Sequence, residues 1–281
     1  MSDKQKVVSF SGGRTSAYLS YLMKKMHADD VHFVFMDTGF EHPKTYEFVR
    51  KVNSEFKLNL ICLRTDFDTP LGEGNKYIVV DIDDICLDMK PFKDMMQKYG
   101  VPYIGGMFCT DRMKLVPFKK YCNEKYGKGN YETWLGIRAD EPKRINKTSG
   151  FKYLADISEF EKDDILDFWK SQSFDLGLPE YLGNCVFCPK KSNLKLAAAH
   201  KDEPLIYKQF ITALNSDSVR NDNKTGHWSK MYRGSQSLEQ LIKTFDGLSD
   251  SEIKTRIRGS KAEDTGSCSE SCEIFGDINN E

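Results

Sequence analysis

The sequence predicts an α/β fold, a mostly parallel Rossmann-like sheet with helices on both faces, followed by a cysteine-containing C-terminal subdomain. Three observations predict it. Short apolar strand candidates alternate with segments of helical periodicity from the N-terminus onward. A Gly-Gly turn rich in hydroxyl groups joins the first strand to the first helix. Polar motifs then follow the ends of successive strands, where sheets of this class bind ligands.

Taken in order, Val7–Phe10 is short, apolar and β-rich, and Ala17–Met26 carries Leu, Tyr and Met at helical spacing. Val31–Met36 is the next buried strand, which completes a βαβ opening. Pro43–Phe56 reads as a helix with Tyr46, Val49 and Val52 on one face, and Leu60–Leu63 as a third strand. Thr65–Gly106 breaks the rhythm, with a Gly72–Gly74 turn, a short strand at Tyr77–Val80, a helix at Lys90–Lys98 and a Gly-rich approach to Cys109. Lys114–Tyr126 returns to helical spacing, and Tyr131–Ile137 is another strand with Gly136–Arg144 at its C-terminal end. Glu159–Lys170 reads as a helix, Ser173–Leu182 as a turn-rich lead into a cysteine pair, and Leu194–Leu214 as helix interrupted near Lys201–Pro204. A polar loop follows, then a small helix at Ser237–Phe245; Lys254–Gly266 is basic and then loose before Cys268 and Cys272.

A chain of 281 residues with 39% hydrophobic composition can bury a sizeable core. The expected division is a nucleotide domain over residues 1–170 and a Cys-rich helical subdomain with its tail over 171–281, packed on the first. The formal charge of −1 argues against coating nucleic acid by bulk charge while leaving room for a local basic groove. No N-terminal apolar run resembles a signal peptide, and Val31–Met36 is too short for a membrane span, so a cytoplasmic protein without a membrane partner is expected. Eight cysteines in such a chain favour metal ligation or redox chemistry over disulfides.

Ser9-Phe10-Ser11-Gly12-Gly13-Arg14-Thr15-Ser16 stands between strand and helix. Its glycines let backbone approach an anion, the first-turn amides have no intrahelical acceptors, and Ser11, Thr15 and Ser16 add hydroxyl donors. A serine-capped helix after a Gly-Gly turn has the same residues, and the spacing is that of neither a dinucleotide fingerprint nor an ordinary P-loop.

This stretch resembles the pyrophosphate loop, S-G-G-x-[TD]-S, of the adenine-nucleotide alpha-hydrolase superfamily, in its phosphoadenosine-phosphosulfate reductase-like branch. Three later segments agree in order. Phe35–Tyr46, with Asp37-Thr38-Gly39 and Pro43, resembles D-T-G-x-x-x-P-x-T; Cys109–Pro117 resembles C-x-x-x-x-K-x-x-P; and Gly136–Arg144 resembles G-x-R-x-x-E-x-x-R. The resemblance covers about the first half of the chain.

It implies an ATP site made by Ser9, Ser11, Gly12, Gly13, Arg14, Thr15 and Ser16 with Thr38, Gly39, Gly136 and Glu141, and catalytic roles for Asp37, Lys114, Arg138 and Arg144. Asp37 follows four apolar residues, so its carboxylate is expected to project from the sheet edge, where it can hold Mg²⁺ or a water bound to it. Arg138 and Arg144 can grip a phosphate or sulfate-like group through paired donors, and Lys114 acts as a point charge. Arg14 is expected against phosphate, with solvent as its other destination; Arg112 reads as a solvated partner of Asp111, and Glu141 with Arg144 also reads as a surface ion pair.

Cys185-Val186-Phe187-Cys188 has metal-knuckle spacing that allows zinc, an iron–sulfur cluster or a redox dithiol. The resemblance supplies Cys109 as a third ligand, but Thr110 stands where cluster-bearing reductases have a second cysteine. The expectation is therefore Cys109, Cys185, Cys188 and Cys272 around a 4Fe–4S cluster, with Cys268 as the other candidate for the fourth place. Structural Zn²⁺ on Cys185, Cys188, Cys268 and Cys272 is the alternative. Cys62 and Cys86 read as ordinary buried thiols, and Cys122 as a remote possibility for ligation.

Sulfonucleotide reductases of the branch end in a Glu-Cys-Gly segment that is absent here, where Cys272-Glu273 runs in the other order. The departure leaves a related chemistry, in which ATP is split to AMP and pyrophosphate to activate an oxyanion for sulfur transfer. Branch members of that kind occur in DNA phosphorothioation systems, which makes DNA and other modification proteins expected partners. Lys190, Lys191 and Lys195, with Arg256, Arg258 and Lys261, are the residues that can approach a DNA backbone. Reduction of a sulfonucleotide and a non-catalytic nucleotide-binding component are the alternatives.

Overall fold

The computed structural model describes residues 4–104, 106, 108–220, 232–233 and 236–259. Six strands form one sheet: β1 Gln5–Phe10, β2 Val31–Met36, β3 Ile61–Asp66, β4 Lys76–Val80, β5 Tyr131–Leu135 and β6 Lys152–Tyr153. Their order is β4-β3-β2-β1-β5-β6, parallel throughout except for β4, which runs antiparallel to β3 at the edge.

The central strands are apolar throughout because both sheet faces are covered. Along β1 and β2 the pleat sends Val8, Phe10, Phe33 and Phe35 to one core and Val7, Val34 and Met36 to the other. The larger core packs under helices α1 Arg14–His27, α2 Pro43–Phe56 and α3 Lys90–Tyr99 and continues without a break to Ile253. The opposite face is closed by a helical stretch in which α4 Phe108–Thr110 runs through a π-helical turn, Asp111–Leu115, into α5 Val116–Tyr126. The remaining helices are α6 Lys162–Ser171, α7 Asn193–Asp202, α8 Pro204–Leu214, α9 Leu238–Lys243 and α10 Asp250–Gly259.

Local chemistry explains the boundaries. Pro43 opens α2 without wasting a donor, and His42 caps it through Nδ1, which accepts the Lys44 N–H at 3.1 Å. Trp169 on α6 donates its indole N–H to the Arg14 carbonyl at 3.0 Å, pinning the later helices to the start of α1.

Two elements differ from expectation. β6, only two residues long, follows a loop with no strand periodicity. α10 lies where a loose basic segment was expected: Ser249 and Glu252 form a reciprocal cap at its start, and Ile253 is buried in the main core. The Ser-x-x-Glu signal was in the sequence, but a single buried apolar residue gave it little periodicity.

A candidate nucleotide site beside a thiol cavity

The chain runs from β1 outward to β4 on one side of the sheet and then crosses to β5 on the other, so the topological switch point lies between β1 and β5. The Ser11–Ser16 loop leaves β1 there, and Gly136–Arg138 leaves β5 beside it. Two glycines make the close approach possible. Gly12 has φ +81°, and a Cβ on it would lie 2.9 Å from Thr45 Cγ2; a Cβ on Gly136 would lie 2.8 Å from Ser16 Cα.

Within the loop, the Ser16 hydroxyl donates to the Gly13 carbonyl at 3.0 Å and accepts the Ser11 N–H at 3.2 Å. The Ser11 hydroxyl, 2.9 Å from Ser16 Oγ, is therefore the donor of that pair. Ser16 thus shapes the loop, while Gly13 starts α1 in an extended conformation that frees the first-turn amides. Ser9 and Thr15 are buried beside it. Arg14 points away from the loop, where Nε and Nη2 each reach Asp175 at 2.6 Å and Nη1 donates to the Leu178 carbonyl at 3.3 Å.

Arg138 is buried and reaches back to the loop, donating through Nη1 to Thr15 Oγ1 at 3.2 Å. Asp140 braces its other edge at 2.8 and 3.2 Å. Glu141 accepts the Arg138 backbone N–H at 3.1 Å with one oxygen and pairs with Arg144 through the other. Glu141 therefore acts as a spacer between two guanidinium groups. Arg112 pairs with Asp111 at 3.1 Å, both about half exposed.

Asp37 corrects an expectation. It does stand at the end of β2, but it is enclosed, 1% exposed. Arg64 Nε donates to Oδ2 at 2.6 Å, and Oδ1 accepts Gly39 N–H at 2.9 Å and Tyr46 OH at 3.1 Å. Arg64 continues to Asp88 at 3.1 Å. Burial pushes the Asp37 carboxyl above the ordinary aspartate value against the pull of these donors. With three donors and no exposed edge, Asp37 does not fit a direct Mg²⁺ ligand. Arg64 escaped the sequence reading, although its place near the end of a strand was the available signal.

The second half of the site is a cavity lined by Thr38, Phe40, Cys109, Lys114, Cys185 and Cys188, among others. The π-helical turn rotates Lys114 inward while leaving Arg112 outside. Glu41 meets three of the residues that line this cavity. It is almost fully buried; Oε1 lies 3.5 Å from Lys114 Nζ, 3.4 Å from Thr38 Oγ1 and 3.6 Å from Cys185 Sγ, and Oε2 has no hydrogen-bond partner among the described residues. Backbone pairing of Glu41 with Cys185 fixes this junction. Tyr232, also enclosed, has a hydroxyl without a partner among the described residues, and its ring packs 6.1 Å from Phe210, another wall of the cavity.

Cys109, Cys185 and Cys188 thus come to one place. As they stand, no three His, Cys, Asp or Glu side chains among the described residues are grouped as a metal site. Cys268 and Cys272 lie outside the described residues. Cysteine sulfurs are soft donors of the kind that bind zinc or iron–sulfur clusters. Cys62 is buried, and burial pushes its thiol up to about 12. Cys122, pushed up to about 12 by the same cause, packs in the core on the other sheet face, away from the three thiols. Cys86 is exposed rather than buried, because Ile85 beside it takes the inward position.

The basic residues next to the cysteine pair also turn out differently. Lys191 and Lys195 are 1% and 4% exposed, not solvated. Lys191 donates to the Tyr181 and Val186 carbonyls at 2.7 and 3.1 Å, and Lys195 meets Glu180 at 3.2 Å. Arg256 and Arg258 are exposed on α10, and Lys261 lies outside the described residues. No described helix is long and apolar enough to cross a membrane.

Residues 5–78 match the model of the phosphoadenosine phosphosulfate reductase domain. The uncharacterized nin region protein ORF290 of Escherichia phage lambda is 52% identical over 96% of this chain and 95% of its own length. A phosphoadenosine 5'-phosphosulfate reductase of Buchnera aphidicola is 26% identical over 60% of this chain and 62% of its own. Against uncharacterized protein MJ0973 of Methanocaldococcus jannaschii, 24% identical, the chain spans half the length of that relative. Among solved structures, phosphoadenylyl-sulfate reductase from Candida auris aligns at 15% identity over 59% of this chain and 71% of its own, with a TM-score of 0.38. The near full-length match gives the conclusion: the chain belongs to the family of the lambda nin region protein ORF290, and its residues 5–78 are similar to the phosphoadenosine phosphosulfate reductase domain.

Proposed function

We propose that the protein is an adenine-nucleotide-dependent sulfur-transfer enzyme that splits ATP into AMP and pyrophosphate to activate an oxyanion. The observation that carries the reading is Glu41: one buried carboxylate meets Lys114 and Thr38, which the resemblance assigns to the nucleotide, and Cys185, and all three line the thiol cavity. On this reading the residues assigned to the nucleotide and the cysteines meet in one cavity.

In this reading the Ser11–Ser16 amides and hydroxyls cradle the phosphates at the start of α1, and Arg138, Arg144 and Lys114 offset charge that develops on them. Asp37 acts through Arg64 and the Thr38-Gly39 turn rather than on a metal, so Mg²⁺ would enter on the nucleotide. Cys109, Cys185 and Cys188 would hold a metal centre, a 4Fe–4S cluster or Zn²⁺, completed by Cys268 or Cys272; when bound it would orient substrate or handle sulfur. DNA phosphorothioation is the proposed pathway, although the inward-facing Lys191 and Lys195 remove part of the basic surface expected to meet DNA.

Reduction of a sulfonucleotide is the second reading, favoured by the similarity to the Buchnera reductase. Anaerobic purification with iron, sulfide and zinc analysis, followed by an ATP–pyrophosphate assay, separates them. Release of AMP and pyrophosphate, with phosphorothioate linkages in digested DNA when partner proteins are added, supports the proposal. Sulfite from adenylylsulfate or phosphoadenylylsulfate with thioredoxin, and no pyrophosphate from ATP, selects the reductase. ATP binding without either product makes the protein a non-catalytic component.

A further inference from the structure

Arg14 opens α1 within the Ser11–Ser16 loop, and its bonds tie the loop to chain 155 to 164 residues further on. Its backbone carbonyl accepts the Trp169 indole N–H at 3.0 Å, Nε and Nη2 reach the two oxygens of Asp175 at 2.6 Å each, and Nη1 donates to the Leu178 carbonyl at 3.3 Å. The pairing is the forked kind, in which guanidinium and carboxylate fix each other's orientation. Asp175 also accepts the Gly177 N–H at 3.4 Å, which shapes its own turn. Against the upward push of burial, Arg14 holds the Asp175 carboxyl below the ordinary aspartate value, so the pair stays charged at neutral pH. A cation at a helix N-terminus is unfavourable by itself, and α1 has no acidic residue in its first turn. Asp175 supplies the counter-charge from outside the helix.

The segment that Asp175 anchors lies directly on the loop. Gly12, Gly13 and Arg14 face Leu178, Gly183 and Asn184 across a cavity of only about 20 Å³, room for a single water. The same segment runs on to the cysteines. Lys195 and Lys162 hold Glu180 at 3.2 and 2.8 Å, and buried Lys191 donates to the carbonyls of Tyr181 and of Val186, which lies between Cys185 and Cys188. Residues 175–188 are thus braced on the phosphate loop at one end and on the chain around Lys191 and Lys195 at the other. We propose that Asp175 is a positioning residue: through Arg14 it sets the phosphate loop against residues 175–188, so that nucleotide phosphate on the loop and the order of the segment carrying Cys185 and Cys188 are coupled. The proposal rests on the nucleotide reading given above. Coupling of this kind is reciprocal, and single residues along such a network change it by roughly 2–30-fold.

The test is Asp175→Asn in the full chain, with Asp175→Glu as the variant that keeps the charge. Amide hydrogen exchange read by mass spectrometry follows residues 175–188 with and without ATP and Mg²⁺, and calorimetric titration reads ATP affinity. In wild type, ATP is expected to slow exchange over 175–188. In Asp175→Asn that slowing is expected to vanish and ATP to bind about tenfold more weakly, while Asp175→Glu keeps both close to wild type. An Asp175→Asn protein that binds ATP within about twofold of wild type and still gains protection overturns the proposal. So does an equal loss in Asp175→Glu, because the ion pair is then not what carries the effect. Wild type whose exchange over 175–188 is unchanged by bound ATP overturns it even if Asp175→Asn fails to fold. Wild type that binds no ATP overturns the nucleotide reading itself, and this proposal with it.

Discussion

Gly136→Ala tests whether the β1–β5 crevice is the nucleotide site. The new Cβ would stand 2.8 Å from Ser16 Cα and 2.9 Å from Ser16 N, and both neighbours are backbone. Restoring even the tight 3.4 Å limit of such contacts means moving the start of α1 or the end of β5 by about 0.6 Å. The Ser16 amide is one of the first-turn donors, so the shift would stretch an N–H···O contact of about 2.9 Å to about 3.5 Å, the edge of hydrogen bonding. Losing one hydrogen bond to a charged phosphate costs about 1.5–3 kcal/mol, or roughly 10–150-fold in affinity. Overpacking takes about 1–3 kcal/mol from stability as well. Calorimetric titration with ATP and Mg²⁺, paired with thermal melts, reads both effects. Gly74→Ala, where a Cβ meets nothing within 4 Å, is the control. A folded Gly136→Ala protein that binds ATP within about twofold of wild type would refute the placement of the site.

Lys114→Met takes the ammonium from the nearly enclosed Glu41 carboxylate and should cost about 3–5 kcal/mol in urea melts, with Glu41→Gln added to it recovering part of the loss. Burial lowers the pKa of His32 and His200 below the ordinary 6.5, so the unfolded chain binds more protons than the folded one. Stability should therefore hold above about pH 6.5 and fall as the pH drops below it; His32→Asn and His200→Gln should each flatten that fall in denaturant melts. Cys62 and Cys122, both pushed up to about 12 by burial, should resist iodoacetamide at about pH 8 while exposed Cys86 reacts, as peptide mass mapping would show.

The elements nearest the site were the most legible ones. β1 and β2 lie within two residues of their sequence boundaries because both-face burial demands continuous apolar runs, and α2 does so because Pro43 marks a helix start that few other residues could. Glu41, Arg64 and Tyr232 were not read, since each owes its importance to a partner far away in the chain. Arg64 matters because β3 lies next to β2 and delivers it to Asp37, and Tyr232 is enclosed because its ring packs against Phe210.

By itself the sequence determined the class of fold and the loop between β1 and α1, because these depend on local periodicity and glycine backbone freedom. Only the tertiary structure decided which charges are committed to the protein's own architecture. Arg14 pairs with Asp175, Asp37 with Arg64, and Lys191 with backbone carbonyls, whereas Glu41 and Tyr232 each keep a polar atom unanswered among the described residues. A charged side chain's role depends on what is buried beside it, and that neighbourhood is assembled by strand order and helix packing across the whole chain rather than by spacing along it.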